Sequence, residues 1–141
     1  MVSPQISYIG ILTTEYNFKY PIQMKTIVLG ASNNPSRYSY KAVQSLLNHQ
    51  HEVIPVSNKK EEVLGLEIKN IETIPSDVDT LTLYVGPQNQ LHYIDYILKV
   101  NPRRVIFNPG TENDELVEKL TEKGIECIEA CTLVMLATNQ Y

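Results

Sequence analysis

The sequence predicts an α/β protein built on a doubly wound, mostly parallel sheet of five to six strands with helices on both faces. From Lys25 onward, short apolar runs alternate with segments whose apolar residues recur at helical spacing, the pattern of strands joined by crossover helices. The 141 residues, 43% hydrophobic and 20% charged, are sufficient for one buried core. We therefore predict one Rossmann-like domain over residues 24–141, preceded by an N-terminal extension or accessory segment, residues 1–23.

The first half of the domain contains two predicted strands around one helix. The run "TIVLG" (26–30) is almost continuously apolar, as expected of a strand buried on both faces. One face of the following helix is predicted to carry Ala42, Val43, Leu46 and Leu47. "HEVIPVS" (51–57) predicts the second strand, in which Pro55 indicates a strand end or an edge position. Residues 65–78 predict a short strand or an extended loop.

The second half continues the alternation of strands and helices. "TLTLYVG" (80–86) predicts a strand, and Pro87 suits the first position of the helix that follows. "RRVIFNPG" (103–110) predicts a strand and a turn, and "IECIEA" (125–130) predicts the last strand. A further helix is expected over 112–123. The residues of these two helices that we expect to face inward are Leu91, Ile94, Ile97, Leu98, Leu116, Val117 and Leu120.

Three loops are expected to meet in one crevice. In an open parallel sheet, ligands bind outside the carboxyl ends of the strands, where the strand order reverses. That rule brings together the loops Gly30–Ser36, Gly86–Gln88 and Asn108–Asn113. Two of them also lead into helix N-termini, where amide groups and the helix dipole favour an anion.

The first loop, "GASNNPSR", has the composition of a phosphate-binding turn. Gly30 permits a tight turn, and the small residues after it allow a ligand to approach the backbone. We expect the amides of residues 31–34 to form an anion nest, Ser36 to cap the next helix and Arg37 to contact a phosphate. On this loop alone, a simple strand-to-helix turn with a surface arginine is an equally good interpretation.

The end of the second strand points to a phosphorylated ribose. A site for NAD requires an acidic residue there, whereas this chain has "PVSNKK" with Lys59 and Lys60. A lysine suits a ribose phosphate such as that of NADP or coenzyme A. A solvated, charged surface loop is the alternative interpretation of the same residues.

Composition excludes several function classes. The net charge of −4 argues against a general nucleic-acid binder, and no apolar run approaches the ~20 residues of a membrane span. The two cysteines are too few for a disulfide scaffold or a zinc knuckle, which favours a reducing, cytoplasmic location. We predict no metal site, because His49, His51 and His92 have no partner ligand at suitable spacing.

Catalytic signatures are sparse. The chain has neither a Tyr-x-x-x-Lys pair nor a Gly-x-Ser-x-Gly elbow, so no catalytic residue is predicted. Cys131 follows the last strand and is either a thiol near the crevice or a buried apolar residue. Three tyrosines are expected near the predicted site, namely Tyr38, Tyr40 and Tyr84. They either pack in the protein interior or stack on the base of a ligand.

Taken together, the loops resemble a family, the stand-alone CoA-binding-domain proteins of bacteria. These proteins are similar to the amino-terminal domain of the succinyl-CoA synthetase alpha subunit. The matching segments occur in the same order over roughly residues 25–133, and they are "VLGASNNPSRYSY", "HEVIPVSNKKEEVLG", "TLYVGP", "NPGTEN" and "GIECIEACTLV". The chain departs from the family where many relatives have Val-Asn-Pro-Lys or an Arg-Cys pair. Here these are Val-Ser-Asn-Lys and Ala130-Cys131.

The resemblance implies a set of residues that bind coenzyme A or an acyl-CoA. The phosphates are assigned to Gly30, Ala31, Ser32, Asn33, Pro35, Arg37 and Ser39, and the adenosine end to Val56, Ser57, Asn58 and Lys59. The middle of the ligand is assigned to Val85, Gly86 and Pro87, and the thiol end to Asn108, Pro109 and Gly110. Ligase activity is not implied, because the synthetase also needs a phosphorylated histidine domain and a second subunit.

Residues 24–141 are therefore expected to be a cytoplasmic CoA-binding domain with a small-molecule ligand, no nucleic-acid or membrane partner, and a possible homodimer. The alternatives are an oxidoreductase that uses NADP and a regulatory or interaction module without a ligand. An NADP oxidoreductase would have the same fold and a basic pocket for the ribose phosphate. A module without a ligand would explain why residues 57–58 and 130 differ from the residues common in the family.

Overall fold

A computed structural model describes residues 23–141. The predicted N-terminal segment 1–23 lies almost wholly outside the described residues. The domain has seven strands, which are β1 (Lys25–Leu29), β2 (Glu52–Val56), β3 (Glu62–Val63), β4 (Leu66–Glu67), β5 (Thr80–Leu83), β6 (Arg104–Phe107) and β7 (Glu126–Glu129). Five of them form a parallel sheet in the order β2-β1-β5-β6-β7. The predicted α/β class is confirmed.

Helices cover both faces of the sheet. They are α1 (Tyr38–Asn48), a 3₁₀ helix (Pro87–Tyr93) that continues into α2 (Ile94–Val100), α3 (Asp114–Glu122) and α4 (Thr132–Ala137). Apolar residues of α2 and α3 pack into one core cluster, and those of α1 and α4 into a second. Among the described helices, none is long and apolar enough to cross a membrane.

The strand sequences explain the two clusters. Ile27 and Leu29 of β1 belong to the first cluster, while Val28 between them belongs to the second. All three side chains are completely buried. Because successive strand residues point to opposite faces, a continuous apolar run is what a strand with helices on both sides requires.

Pro55 occupies one of the two positions that the sequence indicated, because it lies in β2 at one edge of the parallel sheet. Its carbonyl accepts from the Lys69 amide on the side away from β1. Since the nitrogen and the carbonyl of a strand residue face the same side, the missing N–H removes no hydrogen bond between β2 and β1.

Three features differ from the sequence-based expectations. Leu91 is 75% exposed, so the prediction that its side chain faces inward was wrong. The segment from Pro87 begins as a 3₁₀ helix, whose three residues per turn direct side chains differently from an α-helix. The strands β3 and β4 form a separate antiparallel hairpin, turning at Leu64 and Gly65, both with positive φ. Finally, the helix α4 was not predicted.

Candidate functional site

The strand order reverses beside β1. Its neighbour on one side is β2, and on the other side β5, β6 and β7 follow in sequence order. Loops after β1 and β5 therefore leave the sheet in different directions, and a crevice opens at the carboxyl ends. The loop that begins at Gly30 follows β1 and lies in this crevice.

A cavity of about 390 Å³ occupies the crevice. Its size is within the range of small-molecule sites. The predicted site residues that line it are Gly30, Ala31, Ser32, Arg37, Ser39, Ser57, Asn58 and Lys59. Residues outside the predicted set also line it, and these are Ser36, Tyr38, Tyr84 and Tyr93. We call this cavity the main cavity because it contains the loop after β1; a larger groove of about 860 Å³ adjoins it at Ser57, Asn58 and Lys59.

Gly30 fixes the start of the loop. The amides of Gly30 and Ala31 both donate to the Val56 carbonyl at the end of β2, over 2.9 and 3.1 Å. Gly30 has φ +95°, and a Cβ atom there would lie 2.8 Å from the Tyr84 carbonyl oxygen. The glycine is therefore required by the chain itself, because the loop crosses between the ends of β2 and β5.

The predicted anion nest is smaller than expected. The Ala31 amide is bonded to Val56, and the Asn34 amide donates to the Ser32 hydroxyl over 3.1 Å. Within residues 23–141, no acceptor is found for the amides of Ser32 and Asn33. The amides of Ala31 and Asn34 are therefore already paired, whereas those of Ser32 and Asn33 remain available to an anion.

The N-terminus of α1 supplies further donors. Ser36 is not the cap. Arg37 occupies the N-cap position, and no side-chain hydrogen bond closes the helix. Ser36 instead donates to Asn34 through both its amide and its hydroxyl. The amides of Tyr38, Ser39 and Tyr40 have no acceptor in the described part of the chain. With no acidic residue in the first turn, this helix end favours an anion.

The N-terminus of α3 behaves in the opposite way. The Asn113 side chain caps it by accepting from the Leu116 amide. Asp114 and Glu115 occupy the first turn, and the Gly110 amide donates to Glu112 over 2.8 Å. Because a side-chain cap takes the Leu116 amide and two carboxylates lie in the first turn, this second helix end is less favourable for an anion than the start of α1.

The end of β2 contributes the second cation of the main cavity. Ser57 is buried, its amide donates to the Lys69 carbonyl, and its hydroxyl accepts from the Lys59 amide over 3.1 Å. The Lys59 side chain is exposed at the cavity. Arg37 and Lys59 are the charged residues that line the main cavity, and no carboxylate lines it.

A second cavity of about 270 Å³ lies further along the same edge of the sheet. It is lined by Tyr38, Tyr84, Asn108, Pro109, Cys131 and Leu133. Asn108 and Pro109 belong to the predicted site. Cys131, for which a thiol near the crevice and a buried apolar residue were the two interpretations, is half-buried in the wall of this cavity. The two cavities share Tyr38 and Tyr84.

Asn108 makes all its side-chain hydrogen bonds inside the protein. Its amide nitrogen donates to the Thr82 hydroxyl over 2.7 Å and to the Leu83 carbonyl over 2.9 Å. Its oxygen accepts from the Thr132 amide over 2.9 Å. The side chain therefore joins β5 to the start of α4, and this fixes the wall of the second cavity.

The remaining predicted residues lie beside the cavities. Those that line neither cavity are Asn33, Pro35, Val56, Val85, Gly86, Pro87 and Gly110. Val56 holds the first loop, and the Val85 carbonyl accepts from the buried Gln90 side chain over 2.9 Å. Their assignment to a ligand stays a prediction.

Three tyrosines that the site prediction did not include line the main cavity. Tyr38 and Tyr84 were noted as nearby, and Tyr93 was not. Burial raises the pKa of Tyr84, whose hydroxyl has no hydrogen-bond partner among the described residues. Tyr84 is therefore neutral at physiological pH. No group of three or more metal-ligating side chains occurs within residues 23–141.

Fold and site together define a parallel α/β domain with a cavity at its switch point, lined by two cations and the loop after β1. Residues 24–137 match the model of the CoA binding domain family. The chain belongs to this family, and the predicted resemblance is confirmed.

The chain is also similar to several known proteins. Over 63 residues the chain is 38% identical to the alpha subunit of acetate–CoA ligase [ADP-forming] II from Pyrococcus furiosus, and the match covers 43% of this chain and 14% of that subunit. A crystal structure of an uncharacterized protein is 52% identical, with a TM-score of 0.83, over 85% of this chain and 99% of that one. A conserved hypothetical protein from Pyrococcus furiosus is 29% identical, with a TM-score of 0.71, over 79% and 97% of the two chains.

Proposed function

We propose that this protein binds coenzyme A or an acyl-CoA in the main cavity and that binding, not catalysis, is its function. The observation that carries the proposal is the uncapped N-terminus of α1, which opens on a cavity lined by two cations and no carboxylate. Membership of the CoA binding domain family supports the choice of ligand.

The pyrophosphate is assigned to the first loop and the start of α1. The amides of Ser32, Asn33 and residues 38–40 are the donors, because none of them has an acceptor within the described chain. A helix N-terminus attracts phosphate through these donors and its dipole, and Arg37 adds a cation that can bond two oxygens.

The ribose phosphate is assigned to Lys59. This lysine lies three residues beyond the end of β2, the strand next to β1, and it lines the main cavity together with Gly30. An ammonium group on a flexible stem forms a point contact with a phosphate. Asn58 and Ser57 also line the main cavity and are assigned to the adenosine end.

Binding rather than catalysis is proposed because of the residues around the main cavity. Its lining contains no carboxylate, imidazole or thiol, the groups that most often transfer protons or attack substrates in enzymes. The activity of the acetate–CoA ligase belongs to a protein of which this chain matches 14%.

Calorimetry with coenzyme A and dephospho-CoA tests the proposal. We expect coenzyme A to bind about tenfold more tightly, since a charge-assisted hydrogen bond contributes about 1.5 kcal/mol. Lys59→Ala is expected to weaken coenzyme A binding by about three- to tenfold, because the lysine is exposed and partly screened, and to leave dephospho-CoA binding nearly unchanged.

The matched control is Lys119→Ala, which removes the same charge from an exposed position on α3 and should leave both affinities unchanged. No binding of coenzyme A at millimolar concentration would contradict the proposal. Tighter binding of NADP than of coenzyme A in the same series would favour the oxidoreductase alternative.

A further inference from the structure

The amino ends of the strands carry a cluster of polar and charged side chains, none of which lines the main cavity or the second cavity. The Tyr141 hydroxyl is 2.6 Å from that of Thr26 in β1, and the Tyr141 ring packs against His51, with ring centroids 5.0 Å apart. Tyr141 therefore fastens the segment after α4 to the sheet. We call these contacts the Tyr141 latch.

The Tyr141 latch matters because α4 is too short to be stable by itself. The helix has six residues, and isolated helices shorter than about 12 residues are marginal in water. Its start is fixed by Thr132, whose amide donates to a buried asparagine, and its end by the buried Leu136. Tyr141 adds an anchor beyond the helix, so its release should loosen α4.

His51 fits this cluster only as a neutral ring. Its Nδ1 accepts a hydrogen bond from the Met24 amide over 3.0 Å, so this nitrogen carries no proton. Protonation would place a proton on Nδ1, and two donors would then face each other. The hydrogen bond to Met24 would be lost, and the ring that packs against Tyr141 would become positively charged.

A buried cation beside the same tyrosine makes a charged His51 still less favourable. Arg104 is only 6% exposed, and no carboxylate within residues 23–141 lies within 4 Å of it. Its Nε donates to the Thr80 hydroxyl over 2.7 Å, and its guanidinium lies 4.7 Å from the centre of the Tyr141 ring. Tyr141 thus contacts both His51 and Arg104, and a second positive charge at this ring costs free energy.

The other charged groups around His51 do not reverse this preference. His49, which follows α1, disfavours a charge on His51, as Arg104 does, whereas Asp79 before β5 favours it. Both carboxylate oxygens of Asp79 already accept from Arg103, over 2.7 and 3.2 Å. Burial is the largest cause that lowers the pKa of His51, and the charges of His49 and Arg104 lower it further.

We propose that the Tyr141 latch is a pH-sensitive device, which is closed while His51 is neutral and opens when His51 takes up a proton, so that Tyr141 is released and α4 loosens. The latch lies at the opposite end of the sheet from the coenzyme A site proposed above, and its operation requires no ligand.

The direction of the pH dependence follows from linkage. The pKa of His51 is lower with the latch closed than in an exposed histidine, for which it is about 6.5. The closed state is therefore fully stabilised above about pH 6.5 and loses this stabilisation as the pH falls below that value. Because one proton is taken up, the ratio of open to closed latch should rise by at most about tenfold per pH unit.

Proton NMR of the ring signals follows both events in one titration, from about pH 8 to about pH 4.5. The His51 signals report protonation. The Tyr141 signals report release, because they should move towards the positions of an exposed tyrosine. We expect both to change with one midpoint, below pH 6.5. Tyr38, which is 68% exposed, is the internal control and should not change.

The ion pair of Asp79 does not interfere in this range. Burial alone would raise the pKa of Asp79, but the hydrogen bonds from Arg103 and Thr80 outweigh it and hold this pKa below its usual value. The carboxylate therefore takes up its proton only below about pH 4.

Three variants locate the switch. His51→Gln retains an acceptor for the Met24 amide but carries no charge, so the Tyr141 signals should no longer change over this range. His92→Gln is the matched control, because it removes an exposed histidine from the 3₁₀ helix, and it should leave the transition unchanged. Tyr141→Ala removes the latch and should show, at neutral pH, the amide shifts of residues 138–140 that the unsubstituted protein shows in acid.

Two results would overturn the proposal in the unsubstituted protein. One is a His51 midpoint at or above pH 6.5, and the other is a set of Tyr141 signals that stay unchanged while His51 titrates. Persistence of the Tyr141 transition in His51→Gln would contradict it as well, since another group would then open the latch. If that variant does not fold, the two midpoints of the unsubstituted protein decide, because the proposal requires them to coincide.

Discussion

Gly30 shows how strongly the site depends on individual residues. Its φ of +95° is unfavourable for other residues, and its backbone passes so close to Tyr84 that a Cβ atom would lie 2.8 Å from the carbonyl oxygen. Two consecutive amides, those of Gly30 and Ala31, donate to the Val56 carbonyl. These contacts hold the first loop against the ends of two strands before any ligand is bound.

Gly30→Ala is expected to lower the free energy of unfolding by about 3 kcal/mol, because the left-handed conformation costs about 1–2 kcal/mol and the contact with Tyr84 adds strain. Gly124→Ala is the matched control. Gly124 has a similar φ of +82° with nothing within 4 Å of its Cβ position, so only about 1 kcal/mol should be lost. Chemical denaturation measures both values, and equal losses would show that the contact with Tyr84 has no role.

At the scale of elements, the two helix N-termini at this edge of the sheet have opposite properties. The helix α1 starts at Arg37 with no side-chain cap and no acidic residue in its first turn. The helix α3 starts at Asn113, which caps it, and continues with Asp114 and Glu115. The first arrangement leaves its amide donors open to a phosphate, whereas in the second a side-chain cap takes one donor and two carboxylates in the first turn repel an anion.

Arg37→Asp should therefore separate stability from binding. An aspartate at the N-cap can accept from the open amides of α1, so unfolding should require about 0.5–1 kcal/mol more. Coenzyme A affinity should fall at least tenfold, because a carboxylate replaces the cation at the pyrophosphate position. Denaturation and calorimetry on the same preparation measure the two effects.

Arg37→Asn completes the comparison. An asparagine also caps the helix but carries no charge. The free energy of unfolding of this variant should therefore rise by a similar amount, while its affinity for coenzyme A should fall less than that of the Arg37→Asp variant. Unchanged coenzyme A affinity in both variants would contradict the assignment of the pyrophosphate to this helix end.

The sequence predicted those elements whose signals are local. The five strands of the parallel sheet were predicted because their apolar runs are short and nearly continuous, and the edge position of β2 was one of the two positions that Pro55 indicated. Leu91 was misplaced because a proline at a helix start does not distinguish a 3₁₀ helix from an α-helix. The helix α4 has six residues, which is too short for a periodic pattern.

The site was predictable to a similar extent and for similar reasons. Eight predicted residues line the main cavity because the loop after β1 and the end of β2 are adjacent in every sheet of this topology. The availability of the amides was not predictable, since it depends on which carbonyl or side chain lies nearby. The bond from Ala31 to Val56 and the one from Asn34 to Ser32 are contacts of this kind.

At the scale of the whole molecule, the two ends of the sheet have different roles. The carboxyl end carries both cavities. At the amino end, Tyr141 packs against His51, with ring centroids 5.0 Å apart, and its hydroxyl is 2.6 Å from that of Thr26. Arg104 lies over the Tyr141 ring at 4.7 Å. Burial is the largest cause that lowers the pKa of His51, and the neighbouring charges of His49 and Arg104 lower it further. The His51 ring in this packed end is therefore neutral.

Because both cavities lie at the carboxyl end of the sheet, a bound ligand should change the environment of residues at that end only. The central claim is that coenzyme A binds at the N-terminus of α1 and the first loop, and a ¹⁵N–¹H correlation spectrum of the protein titrated with coenzyme A tests it most directly. The account predicts the largest shifts at the amides of Ser32, Asn33 and residues 38–40, with little change at Tyr141. A spectrum in which these five amides stay unchanged at saturating coenzyme A, or in which residues 113–116 of α3 shift instead, would contradict it.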